Sequence, residues 1–337
     1  MMNYKELQER CKNRNFDQIV IVTDDIFKEI AEFNRVEHVT PGVTGIRTNE
    51  TNPGLKAGDT ELAYTERYAT IFYNNTSLCV VQPVEGDTLY KKYQERFGNG
   101  ICCARERIPV ADWDDTLAHY TAKGATIAQT YDSDTCHAVW LDLMDELGII
   151  FEAIRDDSVK DTPSHIHPAR IAQINISTPD VRKTIARLTD LFEIGPWEVG
   201  DQCNAAAHDY AFTVNGELVP QDFSYLLAIL VCGNIEWEVI EPVKGELVYS
   251  EFIEDHGIGF HHILQEYHVA EWQDILADYA SNGIAMNCKG SIGPVDWCYM
   301  DTVKELGYFK EMRTDAVMDQ LPDGYFQFWY PEPEPMI

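Results

Sequence analysis

The segment IAQINIS (171–177) alternates apolar and polar side chains at every step, and GFHHILQEY (259–267) follows a similar alternation. A period of two marks a strand with one face turned to a core and the other to a polar space. PDVRKTIARLTDLF (179–192) carries its apolar residues on a helical period instead. Its Pro-Asp opening suits a helix N-terminus. VAEWQDILADYASNG (269–283) reads as another helix, closing on a glycine that suits a C-cap. Written out along the chain, the pattern is strand, helix, strands, and then the same order again.

That order repeats because the sequence does. VADWDDTLAHYTAKG (110–124) matches VAEWQDILADYASNG at a constant offset of 159, which continues to pair Asp142 with Asp301 and Glu152 with Glu311. Between 110–152 and 269–311, 13 of 43 positions are identical without a gap. FDQIVIVTDDIFKEI (16–30) pairs with 171–185 at an offset of 155, aligning Gln18 with Gln173. The change of offset predicts a loop-length difference between residues 30 and 80. The chain therefore reads as two tandem copies of one α+β domain, each with two βαβββ modules. The expected bounds are 1–157 and 168–337, with a polar linker near 155–168 that holds two prolines.

Composition narrows the class of protein. A length of 337 residues fits two domains, and 45% hydrophobic residues suffice for packed cores. The formal charge of -30 repels phosphate backbones and anionic lipid, so nucleic acid and membranes are not expected partners. Nine cysteines without a CxxC spacing, no apolar leader and no long apolar run predict a cytoplasmic protein with reduced thiols. A small-molecule substrate and a monomer or homodimer are expected.

Three segments, AQINISTPDVRKTIARL, IEWEVIEP with YSEFIEDHGIGFHHI, and DTVKELGYFKEM, give the chain a resemblance to the vicinal oxygen chelate superfamily. That superfamily includes glyoxalase I, methylmalonyl-CoA epimerase and extradiol dioxygenases. The resemblance implies half-open barrels and a divalent metal on a concave face. It places the metal ligands on Gln173, Glu238, His262 and Glu311, a set similar to that of the glyoxalase I branch. Strand parity puts Asn175 beside Gln173, Glu236 beside Glu238, Glu266 beside His262 and Arg313 beside Glu311, as candidate substrate contacts. His261 should turn to the helix side.

In the first copy the equivalent positions are Gln18, Cys79, Cys103 and Glu152. Two soft and two hard ligands make an unusual set, so this copy is expected to be metal-free and structural. His165 and His167 are read as exposed linker residues. The aromatic tail GYFQFWYPEP (324–333) is expected to pack on the second domain, with closure of a substrate mouth as the alternative.

Four ligands with one imidazole suit zinc, nickel, cobalt, manganese or iron(II). Such an ion polarises a carbonyl and stabilises an enolate, with Glu311 or Glu238 as the proton-transferring base. The resemblance thus implies an isomerase or epimerase, which is the main reading. An extradiol-type ring-cleaving dioxygenase is the alternative, set back because four protein ligands leave little room for substrate and O2 together. A non-catalytic small-molecule binding protein is the third reading.

Overall fold

The computed structural model describes residues 3–203, 211–214, 217–220, 223–245, 247–317, 326 and 328–332. It divides into two compact units, one from Asn13 to Pro168 and the other joining the segment ending at Lys12 to everything from Ala169 onward.

The first unit runs β1 (Phe16–Val22), α2 (Ile26–Glu37), β2 (Val43–Thr48), the short β3 (Leu55–Ala57) and β4 (Thr60–Glu61), β5 (Thr65–Phe72) and β6 (Ser77–Glu85). After α3 (Leu89–Phe97) come β7 (Gly100–Ile108), α4 (Trp113–Ala122), β8 (Thr126–Ser133), β9 (Cys136–Leu143) and β10 (Ile149–Arg155). The second unit repeats this order. It has β11 (Arg170–Ser177), α5 (Val181–Phe192), β12 (Trp197–Cys203), β13 (Ala211–Val214), β14 (Glu217–Pro220), β15 (Ser224–Cys232) and β16 (Ile235–Lys244). Then follow α6 (Val248–His256), β17 (Gly259–Tyr267), α7 (Trp272–Ser281), β18 (Met286–Ile292), β19 (Val295–Met300), α8 (Val303–Leu306), β20 (Phe309–Thr314) and β21 (Phe328–Tyr330).

The repeat persists in the backbone. Both α2 and α5 have 12 residues, an aspartate N-cap (Asp25, Asp180) that accepts main-chain N–H bonds, and a left-handed cap residue, His38 or Glu193. Gly98 and Gly257 both close their helices at φ 83°, a conformation that favours glycine. The change of offset falls between His38 and Cys79, the stretch holding the β3–β4 hairpin.

Each unit builds one mixed sheet. The second has the order β14-β13-β18-β19-β20-β17-β11-β16-β15-β12-β21, with β16, β11, β17 and β20 adjacent at its centre. These tandem pairs of βαβββ modules form the expected half-open barrels. Parallel pairing of β11 with β16 sets Gln173 against Glu236 and Asn175 against Glu238. Parallel pairing of β17 with β20 sets Leu264 against Glu311 and Glu266 against Arg313. The alternate side chains Ile174, Ile176, Trp237 and Val239 are all buried on the opposite face.

Two boundaries differ from the repeat-based expectation of 1–157 and 168–337. Helix α1 (Tyr4–Cys11) belongs to the second unit, because its apolar residues Leu7 and Cys11 are buried there. Cys11 Sγ lies 3.2 Å from Cys232 Sγ, and Arg10 pairs with Glu193 at 2.7 Å. The polar segment up to Pro168 stays with the first unit, held by a bond from His167 N to the Phe72 carbonyl (2.7 Å). Among the described residues no helix is long and apolar enough to cross a membrane.

Candidate metal centre

The polar face of the central strands carries two adjoining tiers. One gathers Glu238, His262 and Glu311, all buried, with their ligand atoms within 4.8 Å of one another. His262 Nε2 lies 3.1 Å from Glu238 Oε2 and 3.0 Å from Glu311 Oε2. Asn175 Nδ2 donates to Glu238 Oε2 at 2.9 Å, and Ser177 Oγ donates to Asn175 Oδ1 at 3.0 Å. The Tyr299 hydroxyl is 3.2 Å from His262 Nε2 and accepts a 2.9 Å bond from Tyr249.

The second tier is a row of charges. Gln173 Nε2 donates to Glu236 Oε1 at 2.6 Å. Arg313 bonds Glu266 at 2.8 Å and reaches Glu236 at 3.4 Å. Arg170 closes the row on Glu266 at 3.2 Å. Gln173, Glu236, Glu238, Glu266, Glu311 and Arg313 all line a cavity of about 810 Å³. Tyr225, Trp297 and Trp329 supply aromatic wall, and Tyr4 and Gln8 of α1 reach it as well.

Electrostatics explains what this arrangement can hold. Burial pushes the Glu238 carboxyl up, opposed by its bond to His262. Burial would lower His262, but the two carboxylates outweigh it and raise the imidazole to about 9. A proton on His262 thus supplies positive charge to a buried pair of carboxylates. A divalent cation meets the same need more fully, displacing that proton. One buried acceptor atom, Gln173 Oε1, lacks a hydrogen-bond partner among the described residues, and Glu311 Oε2 shares His262 Nε2 with Glu238. The donor set and the orphaned Gln173 oxygen fit a divalent ion.

His261, expected on the helix side, is buried against Phe252 of α6 and Phe309, with ring centroids at 5.1 Å and 5.0 Å. Its Nδ1 is 2.9 Å from His262 Nδ1. Burial and the neighbouring His262 push His261 well below the usual histidine range; in its neutral form, with the proton on Nε2, its Nδ1 is an acceptor for the His262 Nδ1 proton. That leaves His262 Nε2 free to ligate.

Several sequence expectations change. Gln173 shares the cavity wall with Glu238 and Glu311; its Nε2 is engaged with Glu236, while its Oε1, the atom that would ligate, has no partner among the described residues. Asn175, expected to touch substrate, is fully buried and positions Glu238 instead. Glu236, Glu266 and Arg313 do line the cavity. His261, Tyr249 and Tyr299 were not picked out as site residues. The alternation in VDWCYM does put Trp297 and Tyr299 on one face, whereas α1 lies outside the repeat and gave no signal. The tail adds β21 to the sheet edge beside β12, and Phe326 and Trp329 line the cavity; residues 324, 325, 327 and 333 lie outside the described ones.

The first copy has a different chemistry at the matching positions. Gln18 Nε2 donates to Ser77 at 3.2 Å, and burial raises the Cys79 and Cys103 thiols. Glu152 accepts from Tyr90 at 3.3 Å and lies 3.9 Å from Arg105 Nη1. His165 Nε2 is 2.6 Å from the Thr40 carbonyl oxygen, and the His167 ring packs edge-on to Tyr73, so both histidines sit on the first unit.

No family model matches the chain, and neither does any curated protein. Solved structures do. A triple mutant of 4-hydroxymandelate synthase from Streptomyces coelicolor matches with a TM-score of 0.63 at 12% identity, over 91% of this chain and 94% of that one. A halotolerant catechol dioxygenase matches at TM-score 0.48 and 12% identity, over 95% of this chain and 90% of that one. A 2,2',3-trihydroxybiphenyl 1,2-dioxygenase from Sphingomonas wittichii strain RW1 matches at TM-score 0.48 and 10% identity, over 92% and 94%. With its tandem βαβββ pairs and this whole-chain likeness to a superfamily member, the chain has the two-domain vicinal oxygen chelate fold.

Proposed function

We propose that the protein is a divalent-metal-dependent enzyme acting on a small oxygenated molecule, with Glu238, His262 and Glu311 holding the ion. The convergence of these three buried side chains, two of them lining one large cavity, carries the reading. When bound, the ion supplies Lewis acidity toward substrate oxygens, and iron(II) would also supply the electron transfer that O2 chemistry needs.

Of the two chemistries raised by the sequence, the oxygen-dependent one gains support. The objection to it was a four-ligand shell; a shell of Glu238, His262 and Glu311 alone, with Gln173 held by Glu236 through its Nε2, would leave open positions for a chelating substrate and O2. The whole-chain fold likeness to 4-hydroxymandelate synthase points the same way. The residues around the site have separable tasks. Trp297, Trp329 and Tyr225 offer a planar slot, and Arg313, fixed between Glu236 and Glu266, sets a cationic wall for a substrate oxygen. Burial and nearby carboxylates keep the Tyr249 and Tyr299 hydroxyls protonated, so they act as donors.

Proton transfer by an isomerase remains the second reading, favoured by one imidazole in place of two and by the orphaned Gln173 Oε1. In that reading Glu311 or Glu238 would be the base, with Glu236, pushed up by burial and lining the cavity, as a further candidate. Iron(II)-loaded protein supplied with catechols and aromatic 2-oxo acids in an oxygen electrode separates the two. Substrate-dependent oxygen uptake supports the first. Deuterium wash-in beside a carbonyl without oxygen uptake supports the second.

A further inference from the structure

The first unit holds its own cavity, of about 270 Å³, on the polar face of its sheet. Two buried polar atoms around it have no hydrogen-bond partner among the described residues, Glu66 Oε1 and Gln129 Nε2, and Arg47 shares the same wall. Half-buried Arg47 on β2 stands directly across from Glu66 on β5, whose carboxylate acts on its charge. Its guanidinium carbon stacks 4.1 Å over the Tyr68 ring, which leaves the donor edges free. Glu66 is 4% exposed, and its Oε1 has no partner. Gln129 uses its Oε1 to accept from Leu89 N at 2.8 Å, while its buried Nε2 has none.

These groups are neighbours, because Thr88 bonds Glu66 and the next residue, Leu89, bonds Gln129. A native core rarely leaves two such buried atoms unanswered side by side. The other two arginines on the wall are already spoken for, since Arg105 and Arg107 both bond Asp17. Tyr64, Tyr90 and Trp140 add flat apolar surface.

We infer that this cavity is a second ligand site, taking a small planar carboxylate of about benzoate size. The carboxylate would lie between the Arg47 fork and the Gln129 amide, with the ring against the aromatic wall. Burial pushes the Glu66 carboxyl up, opposed by the Arg47 guanidinium and the bond from Thr88. The site stands apart from the metal centre and does not rest on its assignment.

Titration calorimetry of the full chain with benzoate tests this, using benzamide as the uncharged analogue. Benzoate should bind, with benzamide at least about tenfold weaker. Arg47→Met should weaken benzoate by about tenfold or more, and Arg47→Lys by less, because the fork is lost but the charge stays. Gln129→Glu keeps the acceptor for Leu89 N but puts a negative charge beside the carboxylate, so it should abolish binding even if Arg47→Met does not fold. Arg96→Met, altered on the exposed side of α3 where it pairs with Asp145, should bind benzoate as the parent does. Absence of benzoate binding, equal binding of benzamide, or full binding by Gln129→Glu would each overturn the inference.

Discussion

Asn175 donates its amide proton to Glu238 across the parallel pair β11–β16, at 2.9 Å. This bond fixes one carboxylate of the candidate centre from behind, and Ser177 fixes Asn175 in turn. Loss of such supporting partners weakens metal binding by about 10–100-fold. Asn175→Ala is therefore expected to lower affinity for a divalent ion by that factor. Isothermal titration with Mn(II) or Zn(II) on folded protein measures it, and unchanged affinity contradicts the role.

His261 orients His262 through the Nδ1–Nδ1 contact, in a pocket formed partly by Phe252 and Phe309. Replacement by Phe keeps the ring packing and removes the acceptor. We expect His261→Phe to weaken metal binding by about tenfold or more while the melting temperature changes little. A variant that binds as tightly as the parent rules out this positioning.

How much of this was legible in the sequence depends on which kind of interaction was at stake. The offset of 159 and period-two alternation marked His262 and Glu311 as inward residues of repeated strands, and the structure keeps them there. The partner of Gln173 could not be read, because it depends on the parallel register that sets Gln173 against Glu236 and Asn175 against Glu238. A shift of two residues would preserve parity and exchange those partners. Helix α1 was hidden for another reason. It has no copy in the repeat, and its attachment rests on tertiary burial of Leu7 and Cys11.

That attachment gives a stability prediction. Burial of Leu7 and Cys11 is worth roughly 3 kcal/mol, and α1 also contributes cavity wall. A chain starting at Asn13 should lose about that much stability in the second unit while the first is spared. Urea unfolding followed by hydrogen exchange distinguishes the two units. Equal loss in both, or none, contradicts the placement of α1.

Glu29 on α2 provides a pH prediction. Burial raises its carboxyl from 4.5 to about 7, opposed by Lys28 and a long bond from Thr23. Between those values the folded chain keeps a proton that the unfolded chain has lost. Its contribution is present below about pH 4.5 and disappears as pH rises through about 7. Glu29→Gln should match the parent near pH 4 and exceed it at pH 8 by up to roughly 3 kcal/mol. Thermal melts across that range show it; a constant difference at all pH values contradicts the assignment.

The account stands or falls on one divalent ion in the second unit. The direct measurement is metal stoichiometry by elemental analysis after loading and desalting, for the parent, Glu311→Gln, His262→Ala and the first-copy variant Cys79→Ser/Cys103→Ser. The account predicts close to one tightly held ion per chain in the parent and in the cysteine variant, and a large loss in the other two. A parent without retained ion, or a His262→Ala chain that retains it fully, would contradict the assignment of Glu238, His262 and Glu311.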